Sequence, residues 1–124
     1  MRVTIRLSPH GGQLRHVRRL ADAWGQAVEA GWDVLPLIAT ELLSNALAAS
    51  PPGDPVEVVF DAAPGSVWVS VRDAGTGLKS RSFSPPPPSS VRGRGLSIVD
   101  QLCDHLSIDR QGGFTVITAR KLTA

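Results

Sequence analysis

Hydrophobic and polar residues alternate in five stretches of the chain. In residues 3–8, Val3, Ile5 and Leu7 alternate with polar side chains, as in a strand that buries one face. The other four stretches are residues 55–62, 66–73, 106–110 and 114–121. Residues 63–65 separate the first two of these stretches, and residues 111–113 separate the last two. Both connections have only three residues and contain glycine, and connections this short join antiparallel strands. The pattern therefore predicts five strands, the last four of them arranged as two hairpins.

Three other stretches carry hydrophobic residues at the three- and four-residue spacing of amphipathic helices. The first covers residues 13–30 and the third covers residues 96–106. The second begins in a turn with Asp33 and Pro36, which are typical of helix starts, and runs to about Ser50. Three helices can cover one face of a sheet. The predicted fold class is α+β, a two-layer sandwich in which three helices cover one face of a mixed, mainly antiparallel sheet.

Residues 74–94 follow neither the strand period nor the helix period. They contain several glycines and serines and an unbroken run of prolines from Pro85 to Pro88. This composition predicts a long irregular loop, and long loops within compact domains are usually lids or binding loops.

Composition limits the chain to a few classes of protein. A length of 124 residues suits one domain over residues 1–124, and a formal charge of +2 gives no overall basic character for binding nucleic acid. No apolar stretch reaches the roughly 20 residues that span a bilayer, so we expect a cytoplasmic protein without membrane contact. Cys103 is the single cysteine, which excludes an internal disulfide, and we expect its side chain to be buried. His10, His16 and His105 lack the spacing of metal ligands.

Glu41 and Asn45 stand four residues apart in the second predicted helix, so their side chains leave one face at neighbouring heights. They lie at the edge of the apolar stripe. A carboxylate and an amide oxygen held side by side offer a proton acceptor and a ligand for a hard cation, both of which phosphoryl transfer uses. The alternative is an ordinary solvated helix face, on which this pair would have no special role.

Asp73 ends the third predicted strand and is followed by Gly75 and Gly77. Residues without a Cβ let the backbone approach a flat base or a phosphate closely, and a carboxylate can accept a hydrogen bond from an exocyclic amine. An acid followed by alternating glycines is also common in simple turns.

The segment Arg92-Gly93-Arg94-Gly95-Leu96 leads into the third predicted helix. Glycines before a helix leave free amide groups that can bind an anion, and the arginines add positive charge. A flexible basic linker would have the same composition.

These signals occur in a fixed order, which resembles that of a known family. The matching segments are Glu41-Leu-Leu-Ser-Asn45-Ala46, Asp73-x-Gly75-x-Gly77, Gly93-x-Gly95-Leu96 and Gly113-x-Thr115-Val116. They are similar to the conserved boxes of the ATPase domains shared by histidine kinases and DNA gyrase, which adopt the Bergerat ATP-binding fold. The chain is most similar to the anti-sigma factor serine kinases within that group.

The resemblance implies ATP and Mg²⁺ as ligands. By it Asn45 would bind Mg²⁺ and the nucleotide, Glu41 would act as general base, and Asp73 would hydrogen-bond the adenine amine. Residues 78–94 would form a lid over the phosphates. The remaining implied nucleotide-binding residues are Gly75, Gly77, Arg92, Gly93, Arg94, Gly95, Leu96 and Thr115.

The function that the resemblance implies is phosphorylation of a serine or threonine in an anti-anti-sigma-like partner, together with sigma factor binding. We expect no direct nucleic acid binding, and the sequence leaves the oligomeric state open, with a homodimer among the alternatives. The alternative is a non-catalytic nucleotide-binding module that switches partners. Ala48 and Ala49 permit it, because relatives commonly carry a basic or polar residue there that could contact phosphate.

Three arginines, Arg15, Arg18 and Arg19, lie close together in the first predicted helix. They form either a solvated helix face or a docking patch for an acidic partner surface.

Overall fold

The computed structural model describes residues 1–8, 12–51, 53–74 and 94–123. The elements in these ranges are β1 Val3–Leu7, α1 Gln13–Ala27, α2 Leu35–Ala49, β2 Val56–Ala63, β3 Ser66–Asp73, α3 Arg94–Leu102, β4 His105–Gln111 and β5 Phe114–Leu122. None of these helices is long and apolar enough to cross a membrane. The predicted lid at 78–94 lies outside the described residues, apart from Arg94.

The five strands form one sheet in the order β1-β2-β3-β5-β4, and all four pairings among them are antiparallel. Alternate residues of the central strands are fully buried on one face, among them Val58, Phe60, Val69 and Ile117. Burial of each such side chain contributes about 1.5–3 kcal/mol to the stability of the folded chain. The helices cover this face, so the predicted two-layer α+β fold is confirmed.

Helix α2 is the central helix of the covering layer and packs against α1, α3, β2 and β3. Trp24 on α1 anchors that helix: its ring lies 5.5 Å from the ring of Phe60, and its Nε1 donates a hydrogen bond to the Met1 carbonyl at 2.9 Å. Just before α2, Trp32 Nε1 donates to the Leu102 carbonyl at the end of α3, at 3.1 Å. Helix α3 therefore runs opposite to α2. Helix α1 does so as well, because its C-terminal end lies beside the start of α2.

The other face of the sheet carries no helix in the described part of the chain and has both polar and apolar side chains. Two arginines stack on aromatic rings there: the guanidinium of Arg120 lies 4.3 Å from the ring centre of Trp68, and that of Arg72 lies 4.6 Å from Phe114. Such cation–π contacts contribute about 0.5–1 kcal/mol at exposed sites. Because the guanidinium groups lie over the aromatic rings, the face of the sheet without helices presents positive charge as well as apolar surface.

Helices α1 and α2 each have one end that differs from the prediction. Helix α1 ends at Ala27 rather than at residue 30, because the chain reverses there: Glu29 N–H bonds Gln26 O at 3.2 Å, and Ala30 N–H bonds Gly25 O at 2.9 Å. These two bonds form a Schellman cap. The start of α2 also differs, since the cap position is Val34, no side chain caps the helix, and Asp33 lies one residue further out.

The third helix ends at Leu102, whereas the hydrophobic spacing predicted residue 106. Leu106 belongs to β4 and packs with Ile108 against the core from the edge of the sheet. Cys103 lies just after the helix and is only half-buried. Burial raises the pKa of its thiol, and the nearby charge of Asp100 raises it further. A thiol with a raised pKa carries little thiolate at neutral pH and reacts slowly.

Glu29 has a left-handed backbone with φ 53° at the cap of α1, a position that glycine usually occupies. We expect Glu29→Gly to raise the free energy of unfolding by about 1 kcal/mol, because glycine relieves the steric cost of positive φ. Urea denaturation measures the change. Glu29→Ala is the matched control, since it removes the charge but keeps the Cβ; an equal gain in both variants would contradict the explanation.

Candidate functional site

Asp73 and Thr115 lie opposite each other on neighbouring strands, at the end of β3 and near the start of β5. Asp73 continues the alternation of Val69 and Val71, so its side chain is on the face that the helices cover. Only 1% of Asp73 and 0% of Thr115 is exposed. The sheet therefore holds a carboxyl and a hydroxyl side by side in the protein interior.

The topology brings parts of two helices to this end of the sheet. Helix α2 is followed closely by β2, whose first residue Val56 pairs with the last residue of β1 and whose Glu57 pairs with Arg72. The C-terminal half of α2 is thus near the end of β3. Helix α3 runs opposite to α2 and begins at the same end. We call the region where α2 and β3 end and α3 begins the site end.

Asn45 lies in the C-terminal half of α2, beside a stripe of fully buried residues that includes Leu42 and Ala46. Its Nδ2 atom is buried and has no hydrogen-bond partner among the residues that the structure describes. A buried polar atom without a partner costs about 1–3 kcal/mol, so such an atom commonly marks a ligand site. The amide can also turn by 180°, which exchanges its nitrogen and oxygen.

The donor set fits the predicted Mg²⁺. In nucleotide sites Mg²⁺ is usually held by one or two protein side chains together with phosphate oxygens and water, and an amide oxygen is a suitable ligand. Asn45, a half-buried residue whose amide can turn, can supply that oxygen. No group of three His, Cys, Asp or Glu side chains in the described ranges could hold a metal ion by itself. The metal role of Asn45 stays a prediction.

Glu41 lies one helical turn before Asn45 and is half-buried. It lines a surface groove between α1 and α2, which we call the α1–α2 groove. The other lining residues are Leu14, Arg15, Arg18, Thr40 and Ser44. The two polar side chains of α2 therefore have different environments: the amide of Asn45 has a buried nitrogen, while Glu41 borders an open groove.

The structure places some of the remaining predicted nucleotide-binding residues. Leu96 is 1% exposed and is part of the hydrophobic core, so it packs α3 against the sandwich. Arg94 and Gly95 are the first two residues of α3. Gly75, Gly77, Arg92 and Gly93 lie outside the described residues.

Sequence reasoning missed that Arg15 and Arg18 share a groove with Glu41. The helix pattern identified all three residues, but their proximity depends on how α1 packs against α2. The three-residue spacing of the two arginines places them on one face of α1. This spacing could not show which face of α2 lies opposite the two arginines.

Comparison with protein-family models gives a match for this chain. The model of the histidine kinase-like ATPase domain matches residues 7–121, a range that includes Glu41, Asn45, Asp73 and Thr115. A search of curated proteins gives no match. The antiparallel five-stranded sheet with three helices is consistent with the Bergerat ATPase fold. Because the match covers nearly the whole chain, the protein belongs to the family of histidine kinase-like ATPase domains.

Proposed function

We propose that this chain binds ATP with Mg²⁺ and transfers the γ-phosphate to a serine or threonine of a partner protein, as an anti-sigma factor kinase. One observation carries the proposal. Asn45 and Glu41 lie one turn apart on α2, and the first has a buried amide nitrogen without a partner among the described residues while the second borders an open groove. Phosphoryl transfer uses both a side chain that can bind the metal ion and a base that the acceptor hydroxyl can reach.

Each residue has a defined part in the proposed reaction. Asp73 accepts a hydrogen bond from the adenine amine, and Thr115, which pairs with Asp73 across the sheet, lies beside the bound base. Asn45 would hold Mg²⁺, and the bound ion would neutralise charge on the phosphates. Glu41 accepts the proton of the acceptor hydroxyl while the hydroxyl oxygen forms a bond to the γ-phosphorus. The bond from that phosphorus to the bridging oxygen breaks, and ADP leaves.

The proposed partners are an anti-anti-sigma-like protein as the phosphate acceptor and a sigma factor as the regulated protein. The proposed location is the cytoplasm, where both partners would occur. The match to the histidine kinase-like ATPase domain supports the nucleotide part of this proposal.

A nucleotide-dependent interaction module without transfer activity is the second candidate. The observation that favours it is the surface one turn after Asn45, where Ala48 is exposed and Ala49 is half-buried. Neither side chain can hydrogen-bond a phosphate. In this candidate the nucleotide changes the affinity for a partner and is not consumed.

The test is to incubate the purified chain with Mg²⁺-ATP and proteins encoded by its neighbouring genes. We expect a phosphoserine or phosphothreonine on one of these proteins, detected by mass spectrometry, and no product when Mg²⁺-ADP replaces Mg²⁺-ATP. Binding of a partner in a nucleotide-dependent manner, without any phosphorylated product, would instead support the interaction module.

A further inference from the structure

The α1–α2 groove has positively charged side chains on one side and the candidate general base on the other. Arg15 and Arg18 of α1 are exposed along one side, and Glu41 lies on the other. Both arginines belong to the N-terminal half of α1. Since α1 and α2 run in opposite directions, this half of α1 lies beside the C-terminal half of α2. The groove itself lies at the middle of α2, where its lining residue Ser44 directly precedes Asn45.

The arginines of the groove have no carboxylate partner in the described part of the chain. The ion pairs there join Arg2 to Asp61 at 3.6 Å and Arg72 to Glu57 at 3.9 Å. Arg15 and Arg18 form no such pair with a described residue, and neither lies within 4.0 Å of the Glu41 carboxylate. Their positive charge is consequently available to a molecule that enters the groove.

Exposed hydrophobic side chains accompany these charges. Leu14 lines the groove and is 39% exposed, and Leu37, one turn before Glu41 on α2, is also 39% exposed. A single exposed leucine is normal on a protein surface and does not indicate an interface. Leu14 beside the unpaired arginines, with Leu37 exposed further along α2, gives a mixture of apolar contact and charge that is typical of protein interfaces.

We propose that the α1–α2 groove docks the segment of the partner protein that carries the acceptor hydroxyl, and that this segment has Asp or Glu beside its Ser or Thr. The inference rests on the proposed function, because it concerns the hydroxyl that Glu41 deprotonates. A general base must come within about 2.6–3.2 Å of the group that loses the proton. The acceptor segment must therefore enter the groove, where Arg15 and Arg18 favour acidic neighbours.

The test uses two fluorescent peptides with the same central serine, one flanked by Asp and Glu and the other by Lys. Anisotropy measures binding to the Mg²⁺-ADP form, and transfer from Mg²⁺-ATP is measured in parallel. We expect the acidic peptide to bind at least about tenfold more tightly, since complementary charges stabilise an interface. This preference should weaken as the salt concentration rises, because salt screens exposed charges.

Arg18→Glu should remove the preference for the acidic peptide, and the milder Arg18→Gln should reduce it. Arg19→Glu is the matched control: Arg19 is exposed on the same helix and undergoes the same charge change, but it does not line the groove. We expect it to keep the wild-type preference. All three variants should bind ATP like the wild type, and a large loss of ATP affinity in Arg18→Gln would overturn the docking role.

The two readouts separate failure of the docking inference from failure of the proposed function. Transfer that is equal for both peptides would overturn docking and leave the kinase function standing. Tight, Arg18-dependent binding of the acidic peptide without transfer would support docking and contradict the kinase. Absence of both binding and transfer would contradict both.

Discussion

Replacing Glu41 with glutamine is expected to lower phosphate transfer by about a hundred- to ten-thousandfold while ATP affinity stays close to that of the wild type. Glutamine keeps the size and polarity of the side chain but cannot accept a proton. Glu41 borders the α1–α2 groove and is only half-buried, so the substitution leaves the core packing of α2 unchanged. Single-turnover transfer and equilibrium nucleotide binding measure the two effects separately.

Asn45→Ala provides the contrasting variant. Because it removes a proposed ligand of Mg²⁺, we expect it to weaken Mg²⁺-dependent ATP binding as well as transfer. The two positions lie one turn apart on α2, so a general disturbance of the helix would give both variants the same phenotype. If Glu41→Gln lost binding and transfer equally, Glu41 would have a structural role and the proposed mechanism would be wrong.

Replacing Asp73 with asparagine is expected to weaken ATP and ADP binding by about 10- to 100-fold. A hydrogen bond to a charged group contributes about 1.5–3 kcal/mol, and the buried Asp73 is the group proposed to accept from the adenine amine. Since a ligand that binds only the folded state raises the melting temperature, the increase produced by ATP should be much smaller in this variant. Calorimetric titration gives the affinity directly.

Asp109→Asn is the matched control for Asp73→Asn. Asp109 lies on β4 of the same sheet, is exposed, and undergoes the same chemical change. Its thermal response to ATP should equal that of the wild type. If the wild type itself showed no change in melting temperature with adenine nucleotides at millimolar concentration, the nucleotide-binding hypothesis would be wrong.

Most of the fold could be predicted because one sheet face is buried and the other is not. This asymmetry imposes the alternation seen in Val58 and Phe60 on β2 and in Ile117 on β5. The helix ends could not be predicted from the same patterns. The cap of α1 uses a left-handed Glu29 where a glycine would have been the signal, and Leu106 suits both a helical stripe and an edge strand.

The candidate site could be predicted residue by residue but not as an assembly. Asp73 was expected at a strand end and Asn45 at the edge of an apolar helix stripe, and both lie there. The pairing of Asp73 with Thr115 and the position of Arg18 beside Glu41 depend on strand register and on helix packing. Those contacts join distant parts of the chain, and no local period in the sequence encodes them.

The hydrogen bond from Trp32 to the Leu102 carbonyl links the start of α2 to the end of α3. Trp32 is 6% exposed, so its indole emission depends on this bond and on the packing around it. Helix α3 directly follows the segment predicted to close over the phosphates. A nucleotide that shifted α3 along α2 would alter the polarity around the indole. Trp32 is thus the one of the three tryptophans that lies at the far end of that helix, and its share of the emission can report on α3 without an attached label.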